Sequence, residues 1–375
     1  MANNTETETP LYDCNVKRHW SVHLLRWIIV SIFTVIYLCA CYYFELRSKA
    51  LVYILGLVLL QLIEKPAFCH KFFGFTVEER NDGSQYSQSY GECCMKNGEQ
   101  LIKLHHTHID ATMARFKFYE GFDAFRTRII KNPNCEAFVH NACDPYSLNA
   151  GVELMLNYQD IYSCFGIHPH NAKEYTDQIE NKIVEIFTTH RNTGKALAWG
   201  EMGLDYHYNK SPKETQKTVF ARQLQKAVSL GLPLVFHLRE ADDDALAIIR
   251  QHVPKDHRFH VHCYTSPPPF ATAVLAEFTN AYFGMNFLFS ILSGFTGVMT
   301  FPNSKEVQES VSVVPLNRIL LETDAPVMAP VPLRGRPCHS GMIPHIAQKI
   351  ADIKKVPVEE VYTQTRQNTK DMYGI

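Results

Sequence analysis

The sequence has little net charge, no CxxC pair and no glycine-rich dinucleotide loop, and each absence excludes a class of protein. Its 375 residues carry a formal charge of −1 at pH 7, so any surface that attracts a polyanion must be local. The 11 cysteines are odd in number, which indicates free thiols in a reducing compartment rather than a disulfide framework. No GxGxxG follows the first predicted strand, so a dinucleotide-binding domain has little support.

Long hydrophobic runs are confined to the N-terminal part of the chain. After a polar start over residues 1–23, residues 24–44 are almost wholly apolar and would form a helix of roughly 31 Å, enough to cross a bilayer core of about 30 Å. A second run, 50–63, is short for a span at about 21 Å. We predict that residues 24–63 anchor the protein in a membrane, the alternatives being a cleaved signal peptide or a core helix.

The compartment follows from this anchor. If both runs enter the membrane as a hairpin, the rest of the chain returns to the cytosolic side, which the free thiols favour. The alternative is a soluble cytoplasmic or nuclear protein. Residues 64–99 are predicted to be a linker, because the stretch 81–92 is polar and rich in turn residues. The folded domain is therefore expected over residues 100–375.

Eight short apolar segments recur through this domain, separated by stretches with helical periodicity. Continuous apolarity is typical of strands buried on both faces of a parallel sheet. The eight segments are 101–104, 136–139, 161–166, 196–199, 232–236, 258–261, 281–284 and 318–322. Eight βα units in this length predict an α/β fold of the (β/α)8 TIM-barrel type, with an open doubly wound sheet as the alternative.

Histidines and carboxylates fall where the predicted strands end. His106 and His108 follow the first strand at a spacing of two, which places both side chains on one side of an extended segment. The fourth, fifth, sixth and eighth strands end at Glu201, His237, His262 and Asp324. The carboxyl ends of barrel strands form the active-site rim, so we expect these six side chains to meet there.

Six such residues favour a pair of divalent metal ions. A single histidine at a strand end is more often a structural residue. Six histidine and acidic residues at corresponding strand ends are instead typical of a metal centre. Imidazole and carboxylate donors suit Zn2+ or Mn2+, with Mg2+ also possible. Because six ligands exceed what one catalytic Zn2+ uses, two ions about 3.5–4 Å apart and bridged by a carboxylate account for them better.

Six sequence blocks carry a resemblance to a known family. They are HTHID (106–110), GIHPH (166–170), GEMGLDY (200–206), PLVFHLREA (233–241), HCYT (262–265) and ETDAP (322–326). In these blocks, residues 101–375 resemble the TatD-type deoxyribonucleases, and among them the animal TatD-domain proteins. The first 95 residues or so have no counterpart in a typical member.

The resemblance implies a two-metal barrel hydrolase that cleaves the phosphodiester bonds of DNA, typically as a 3′-5′ exonuclease or an endonuclease. It implies that one ion is held by His106, His108 and Asp324 and the other by His237 and His262, with Glu201 as the bridge. A carboxylate beside a metal can accept the proton of the attacking water, a role that fits Asp324.

Four further residues are candidates for binding substrate or orienting ligands. Arg239 follows His237 by two residues and could grip phosphate oxygens, although a surface ion pair is an equal alternative on the residues alone. His168 and His170 follow the third strand and are candidates for phosphate contact, with His168 favoured by the family motif. Asp205 follows Glu201 closely and could orient metal ligands by hydrogen bonds.

The chain departs from the family pattern at four places. Leu104 replaces an Asp before the paired histidines, and Ser266 replaces a Gly after the HCYT block. Residues 336–341 replace an arginine-containing motif, which puts substrate contacts there in doubt. Residues 285–293 (MNFLFSILS) precede the Gly-Phe-Thr that family members reach directly, and they are either an apolar insertion or a splice artefact.

Two other functions compete with the nuclease. Barrels with this ligand set host several hydrolyses, so an amidohydrolase or esterase acting on a small substrate is the runner-up. A membrane scaffold with a vestigial barrel is the third possibility, against which the retention of all six ligands argues. A basic rim that includes Arg239, Arg334 and Arg336 would favour nucleic acid.

Overall fold

Eight parallel strands form one sheet in which each strand pairs with the next along the chain. The computed structural model describes residues 102–375 apart from 209, 286–302, 331–332 and 334–335. The chain divides into two units, Met1–Asp82 and Gly83–Ile375, and every described residue belongs to the second. The predicted N-terminal segments (1–23, 24–63 and 64–99), Arg334 and all but the first residue of the apolar insertion lie outside the described residues. Within the described part, no helix is long and apolar enough to cross a membrane.

The eight predicted strands are all present. They are β1 (Ile102–Thr107), β2 (Cys135–Ala142), β3 (Ile161–Phe165), β4 (Ala196–Asp205), β5 (Leu234–Arg239), β6 (Phe259–His262), β7 (Ala281–Met285) and β8 (Ile319–Leu321). The α-helices between and after them are α1 (Ile109–Arg115), α2 (Phe122–Phe125), α3 (Ser147–Asn157), α4 (Asp177–Thr189), α5 (Lys213–Ser229), α6 (Asp242–His252), α7 (Pro268–Glu277), α8 (Asn303–Val313), α9 (Ile343–Lys354) and α10 (Val358–Tyr373). This is the (β/α)8 architecture that the sequence pattern predicts.

The first and last strands meet at their carboxyl ends. The backbone N–H of Asp324 donates to the carbonyl of His106 (3.3 Å), and that of His108 donates to the carbonyl of Ala325 (3.0 Å). These bonds join the end of β1 to the segment that follows β8. They also bring the ligands predicted after the first strand, His106 and His108, next to Asp324, the ligand predicted after the eighth strand.

Helix α5 forms because it presents one apolar face to the sheet. On α5, the side chains of Val219, Phe220, Leu224 and Ala227 are buried, as the three- and four-residue spacing predicts. The helix is followed by Gly231 at a φ of +68°, a left-handed conformation in which a residue without Cβ is unstrained.

A separate apolar cluster fills the interior of the sheet at the amino-terminal ends of the strands. It consists of Val139, Cys164, Leu197, Ala198, Val235, Tyr282 and Leu320 from six strands, together with Met372 and Tyr373 from α10. The last turn of α10 therefore closes this end of the barrel. Polar side chains occupy the opposite end, at the carboxyl ends of the strands.

Four strands run three or more residues past their predicted carboxyl ends, namely β1, β2, β4 and β5, and the extensions of β1, β4 and β5 carry predicted site residues. The prediction ended β4 at Trp199 with Glu201 just beyond it, whereas β4 continues to Asp205 and contains Glu201. Met202 and Leu204 continue the strand because both are buried and pair with Phe236 and Leu238 of β5.

The first strand likewise continues to Thr107 and contains His106. The register with β2 shifts between Leu104 and Thr107, and His106 has a φ of +53°. The prediction that His106 and His108 share one side of a regular extended segment is therefore wrong in its backbone geometry. A bulge, not simple alternation, turns both imidazoles toward the same point.

Candidate metal centre

The six predicted ligands lie together at the carboxyl end of the sheet, around the carboxylate of Glu201. They come from β1 and the residue after it, from β4, β5 and β6, and from the segment after β8. Glu201 is buried, with 2% of its surface exposed. Its two oxygens face two different groups of side chains.

Oε1 of Glu201 faces the ligands contributed by the two ends of the barrel. It lies 3.0 Å from Nε2 of His106 and 3.0 Å from Nε2 of His108. Asp324 Oδ1 lies 3.4 Å from the first of these nitrogens and 3.5 Å from the second. We call His106, His108, Asp324 and Glu201 Oε1 the first cluster.

Oε2 of Glu201 faces the ligands from the middle strands. It lies 3.1 Å from Nε2 of His262 and 3.7 Å from Nδ1 of His237, and these two nitrogens are 2.9 Å apart. His168 Nε2 is 4.0 Å from the same oxygen. We call His237, His262 and Glu201 Oε2 the second cluster, with His168 beside it.

Several polar atoms at this centre are buried without a hydrogen-bond partner. They include His106 Nε2 and Glu201 Oε1, which are 3.0 Å apart without hydrogen-bond geometry. Unpaired buried polar atoms are costly in a folded protein. Imidazole nitrogens and carboxylate oxygens that converge in this way are the donors that divalent cations use, so the residues present fit a metal ion in each cluster.

Electrostatic coupling in the first cluster keeps its carboxylates ionised. Burial alone would raise the pKa of Glu201, but the charges of His262, His106 and His108 hold it well below the ordinary value. Burial would also raise the pKa of Asp324, but the close approach of the His106 and His108 rings lowers it instead. Both side chains are therefore ready as anionic ligands at neutral pH.

The same coupling raises the proton affinity of the paired histidines. Burial lowers the pKa of His106, but the neighbouring carboxylates of Glu201 and Asp324 together outweigh it and raise that pKa to about 9. The pKa of His108 is raised for the same reasons. A cation entering the first cluster must consequently displace protons from these rings.

Asp205 fixes the orientation of His237 from the side away from Glu201. Its Oδ2 lies 3.2 Å from His237 Nε2 and 2.8 Å from His170 Nε2. Its Oδ1 accepts from the backbone N–H groups of His207 (2.9 Å) and Tyr208 (3.0 Å). Burial would raise the pKa of Asp205, but the bonds to His170 and His237 lower it. His237 is thereby held with Nδ1 toward the second cluster.

Of the residues predicted to contact phosphate, His168 is at the centre and Arg239 at its edge. The ring of His168 packs 4.2 Å from that of His237, centroid to centroid. Arg239 is the last residue of β5, and its guanidinium carbon lies 5.0 Å above the ring of Tyr208. His170, the second candidate after β3, is engaged by Asp205 rather than aimed at the clusters.

Some residues of the centre were not anticipated from the sequence. Cys143 follows β2 and lies beside His108 and Glu201. Behind the first cluster, His260 Nε2 is 3.2 Å from Glu322 Oε2, and His260 Nδ1 is 2.8 Å from the hydroxyl of Tyr373. Burial raises the pKa of Glu322 to about 7. The only signal for them in the sequence was their position, since Cys143 and Glu322 directly follow strands, as the predicted ligands do.

Comparison with known proteins finds the same kind of domain. A family model described as TatD related DNase matches residues 105–374. The chain is 35% identical over 278 residues to the human protein named 3'-5' RNA nuclease TATDN2, a match that covers 72% of this chain and 35% of the human protein. The chain thus spans about a third of the length of that relative.

Bacterial relatives match over most of their own length. The Bacillus subtilis protein named uncharacterized metal-dependent hydrolase YabD is 32% identical over 273 residues, covering 72% of this chain and 98% of the relative. The Erwinia tasmaniensis protein named 3'-5' ssDNA/RNA exonuclease TatD is 30% identical over 219 residues, 57% of this chain and 78% of the relative. Among solved structures, a TatD-family hydrolase from Entamoeba histolytica superposes with a TM-score of 0.61 at 19% identity, over 74% of this chain and 98% of that one.

Proposed function

The chain belongs to the family of TatD related DNases, and we propose that it is a divalent-metal-dependent nuclease that shortens single-stranded DNA from its 3′ end. The observation that carries the proposal is the position of Glu201. One of its oxygens lies 3.0 Å from both His106 and His108, and the other lies 3.1 Å from His262. A buried carboxylate between two groups of imidazoles is the arrangement expected of a bridge between two cations.

The first cluster would hold one ion and the second cluster the other. The donors are nitrogen and oxygen atoms, which suits Zn2+, Mn2+ or Mg2+. When bound, such ions offset the negative charge of a phosphodiester and make a water molecule a better nucleophile. The remaining chemistry belongs to the side chains.

Asp324 is the residue proposed to accept the proton of the attacking water. Its carboxylate lies in the first cluster, 3.4 Å from His106 Nε2, and is ionised at neutral pH because its pKa is lowered. A proton acceptor must lie within hydrogen-bond reach of the nucleophile. Asp324 meets this requirement because it is itself part of the first cluster. Glu201 contributes by holding both clusters at a fixed separation.

His168 and Arg239 are proposed to position the scissile phosphate. Desolvation and the neighbouring His237 hold the pKa of His168 well below its ordinary value, so its ring is neutral and can donate one hydrogen bond. Arg239 offers a planar pair of donors that match phosphate oxygens. The ring of Tyr208 beneath the guanidinium restricts its motion and favours one orientation.

The polarity and the substrate class are supported by the names of two relatives. The human protein is named a 3'-5' RNA nuclease and the Erwinia protein a 3'-5' ssDNA/RNA exonuclease. We take single-stranded DNA as the substrate and RNA as the comparison. We also propose that residues 24–63 anchor the enzyme in a membrane, with residues 100–375 facing the cytosol.

The test is cleavage of 5′-labelled single-stranded DNA and RNA by the purified full-length chain. The labelled DNA should shorten stepwise, and a chelator should stop the reaction until Mg2+, Mn2+ or Zn2+ is restored. Glu201→Gln should abolish shortening, whereas Glu153→Gln on the exposed face of α3 should not. Cleavage of RNA alone would move the substrate from DNA to RNA. Intact DNA and RNA at saturating metal would overturn the nuclease.

A further inference from the structure

Cys143 differs in its surroundings from three of the other cysteines of the described chain, whereas Cys263, which follows β6, is also partly buried. Cys135, Cys164 and Cys338 are each fully buried in an apolar cluster. Cys143 is only partly buried and follows the last residue of β2. It thus occupies the carboxyl end of its strand, as the six predicted ligands do on theirs.

The thiol lies at the first cluster. The ligand atoms of Cys143, His108 and Glu201 are all within 4.8 Å of one another. The charge of Glu201 is close enough that, after burial, it is the largest influence raising the pKa of the Cys143 thiol. A cation placed among these atoms would act in the opposite direction and favour the thiolate.

A second and independent observation points to a ligand at the same place. Glu201 is 98% buried and its Oε1 has no hydrogen-bond partner. His106 Nε2, on the other side of this oxygen, is likewise buried and unpaired. The imidazole of His108, the carboxylate of Glu201 and the sulfur of Cys143 therefore converge beside buried polar atoms that have no hydrogen-bond partner.

We propose that Cys143 is a sulfur ligand of the first cluster and makes that cluster prefer Zn2+ to Mn2+ or Mg2+. This inference rests on the metal centre of the proposed function and adds to it the identity of the ion. Coordination forms a bond between Sγ and the ion and breaks the S–H bond, and the proton leaves to solvent. Thiolates favour Zn2+, whereas carboxylate and water ligands favour Mg2+ and Mn2+, so the sulfur shifts the balance of a mixed site.

Titration of the metal-stripped, full-length chain with Co2+ alone tests the proposal. Cobalt bound by sulfur gives a ligand-to-metal charge-transfer absorption in the near ultraviolet that nitrogen and oxygen ligands do not give. The absorption should appear in the wild type and vanish in Cys143→Ala. It should persist in Cys135→Ala, the matched change at the other end of β2. Zn2+ affinity of Cys143→Ala should fall at least about tenfold, and Mn2+ affinity should fall less.

Each contrary result has a definite meaning. Cobalt that binds without the absorption, or an absorption that survives Cys143→Ala, overturns the sulfur ligand and leaves the metal centre standing. If Co2+ and Zn2+ do not bind at all, the metal centre and the sulfur ligand both fail. If Cys143→Ala does not fold, the sulfur ligand is tested on the wild-type protein instead. Saturating Zn2+ must protect Cys143 from iodoacetamide in peptide mapping, and equal labelling with and without Zn2+ overturns the proposal.

Discussion

Glu201 and Asp324 are both carboxylates of the first cluster, but they are assigned different work. Glu201 contacts both clusters through its two oxygens, so Glu201→Gln should weaken metal binding at both by at least about tenfold and lower activity in parallel. Calorimetric titration with Mn2+ measures this. Loss of binding at one cluster only, with the other unchanged, would contradict the bridging role.

Asp324→Asn should separate binding from turnover. The amide keeps the shape of the side chain and one oxygen donor but cannot accept a proton, so nucleic-acid binding should persist. Turnover should fall by about 10²–10⁴-fold, the usual contribution of a general base. Activity within about tenfold of wild type at saturating metal, across about pH 6–9, would move the base elsewhere, with His168 the next candidate.

Asp205 acts through His237 rather than on substrate. Because its Oδ2 lies 3.2 Å from His237 Nε2, Asp205→Asn should weaken metal binding at the second cluster by about 10–100-fold and leave the first unchanged. Asp177→Asn is the matched control, since that side chain is 85% exposed and lies on α4, which contributes no residue to either cluster. Equal loss at both clusters would indicate general unfolding instead.

Metal affinity at the first cluster should depend on pH in a defined direction. The pKa of His106 is raised to about 9, so below pH 9 the ring carries a proton that the ion must displace. Affinity for Mn2+ should therefore rise as pH increases from about 6 to 9. An affinity that stays flat over this range, measured by calorimetry in buffers of equal ionic strength, would contradict the elevated pKa.

At the scale of single residues, the sequence predicted which residues form the site better than it predicted the geometry of the site. His237 and His262 could be placed because they end consecutive apolar segments, and parallel strands put their carboxyl ends at one edge. The left-handed backbone of His106 could not be foreseen, because the bulge depends on pairing with β2. Cys143 was missed because a single thiol after a strand carries no periodic signal.

Among the elements, α10 is the one whose role the sequence did not indicate. Its last residues enter the interior cluster at the amino-terminal end of the barrel, and the hydroxyl of Tyr373 lies 2.8 Å from His260 Nδ1. Periodicity places a helix at the end of the chain, but which cavity a terminal helix closes depends on tertiary packing. The number of strands followed from the pattern, because a helical stretch separates each apolar run from the next. Their order in the sheet did not, because an open doubly wound sheet fits the same pattern.

The closing contact of α10 predicts a measurable loss of stability. Tyr373→Phe leaves the buried His260 ring without this hydroxyl, so the free energy of unfolding should fall by about 1–3 kcal/mol. Tyr146→Phe is the matched control, since Tyr146 is 84% exposed and should change stability by less than about 0.5 kcal/mol. Urea denaturation followed by circular dichroism compares the two, and equal effects would contradict a structural role for α10.

For the whole molecule, the prediction that goes beyond the described residues is the membrane anchor at 24–63. The run 24–44 is long enough to span a bilayer core, so the full-length chain should remain in the pellet after carbonate extraction of cells that express it. A chain beginning near residue 100 should be released into the supernatant. Full-length protein found wholly in the supernatant would contradict the anchor.

Net charge gives the whole chain no attraction for nucleic acid, so binding must depend on the centre itself. Under the proposed function, the pair of clusters around Glu201 is the feature on which substrate binding and cleavage both depend. Composition accordingly pointed to no nucleic-acid function; the strand-end pattern predicted a metal centre, and the resemblance to the TatD-type family implied the substrate. Fold class follows from the repeated pattern, and function follows from a few side chains at one end of it.

Anomalous diffraction from crystals of the Mn2+- or Zn2+-loaded protein tests this arrangement most directly. Two peaks are predicted about 3.5–4 Å apart, one on each side of the Glu201 carboxylate. The first should be coordinated by His106, His108 and Asp324, and the second by His237 and His262. A single peak at saturating metal, or peaks that do not contact Glu201, would contradict the two-ion centre.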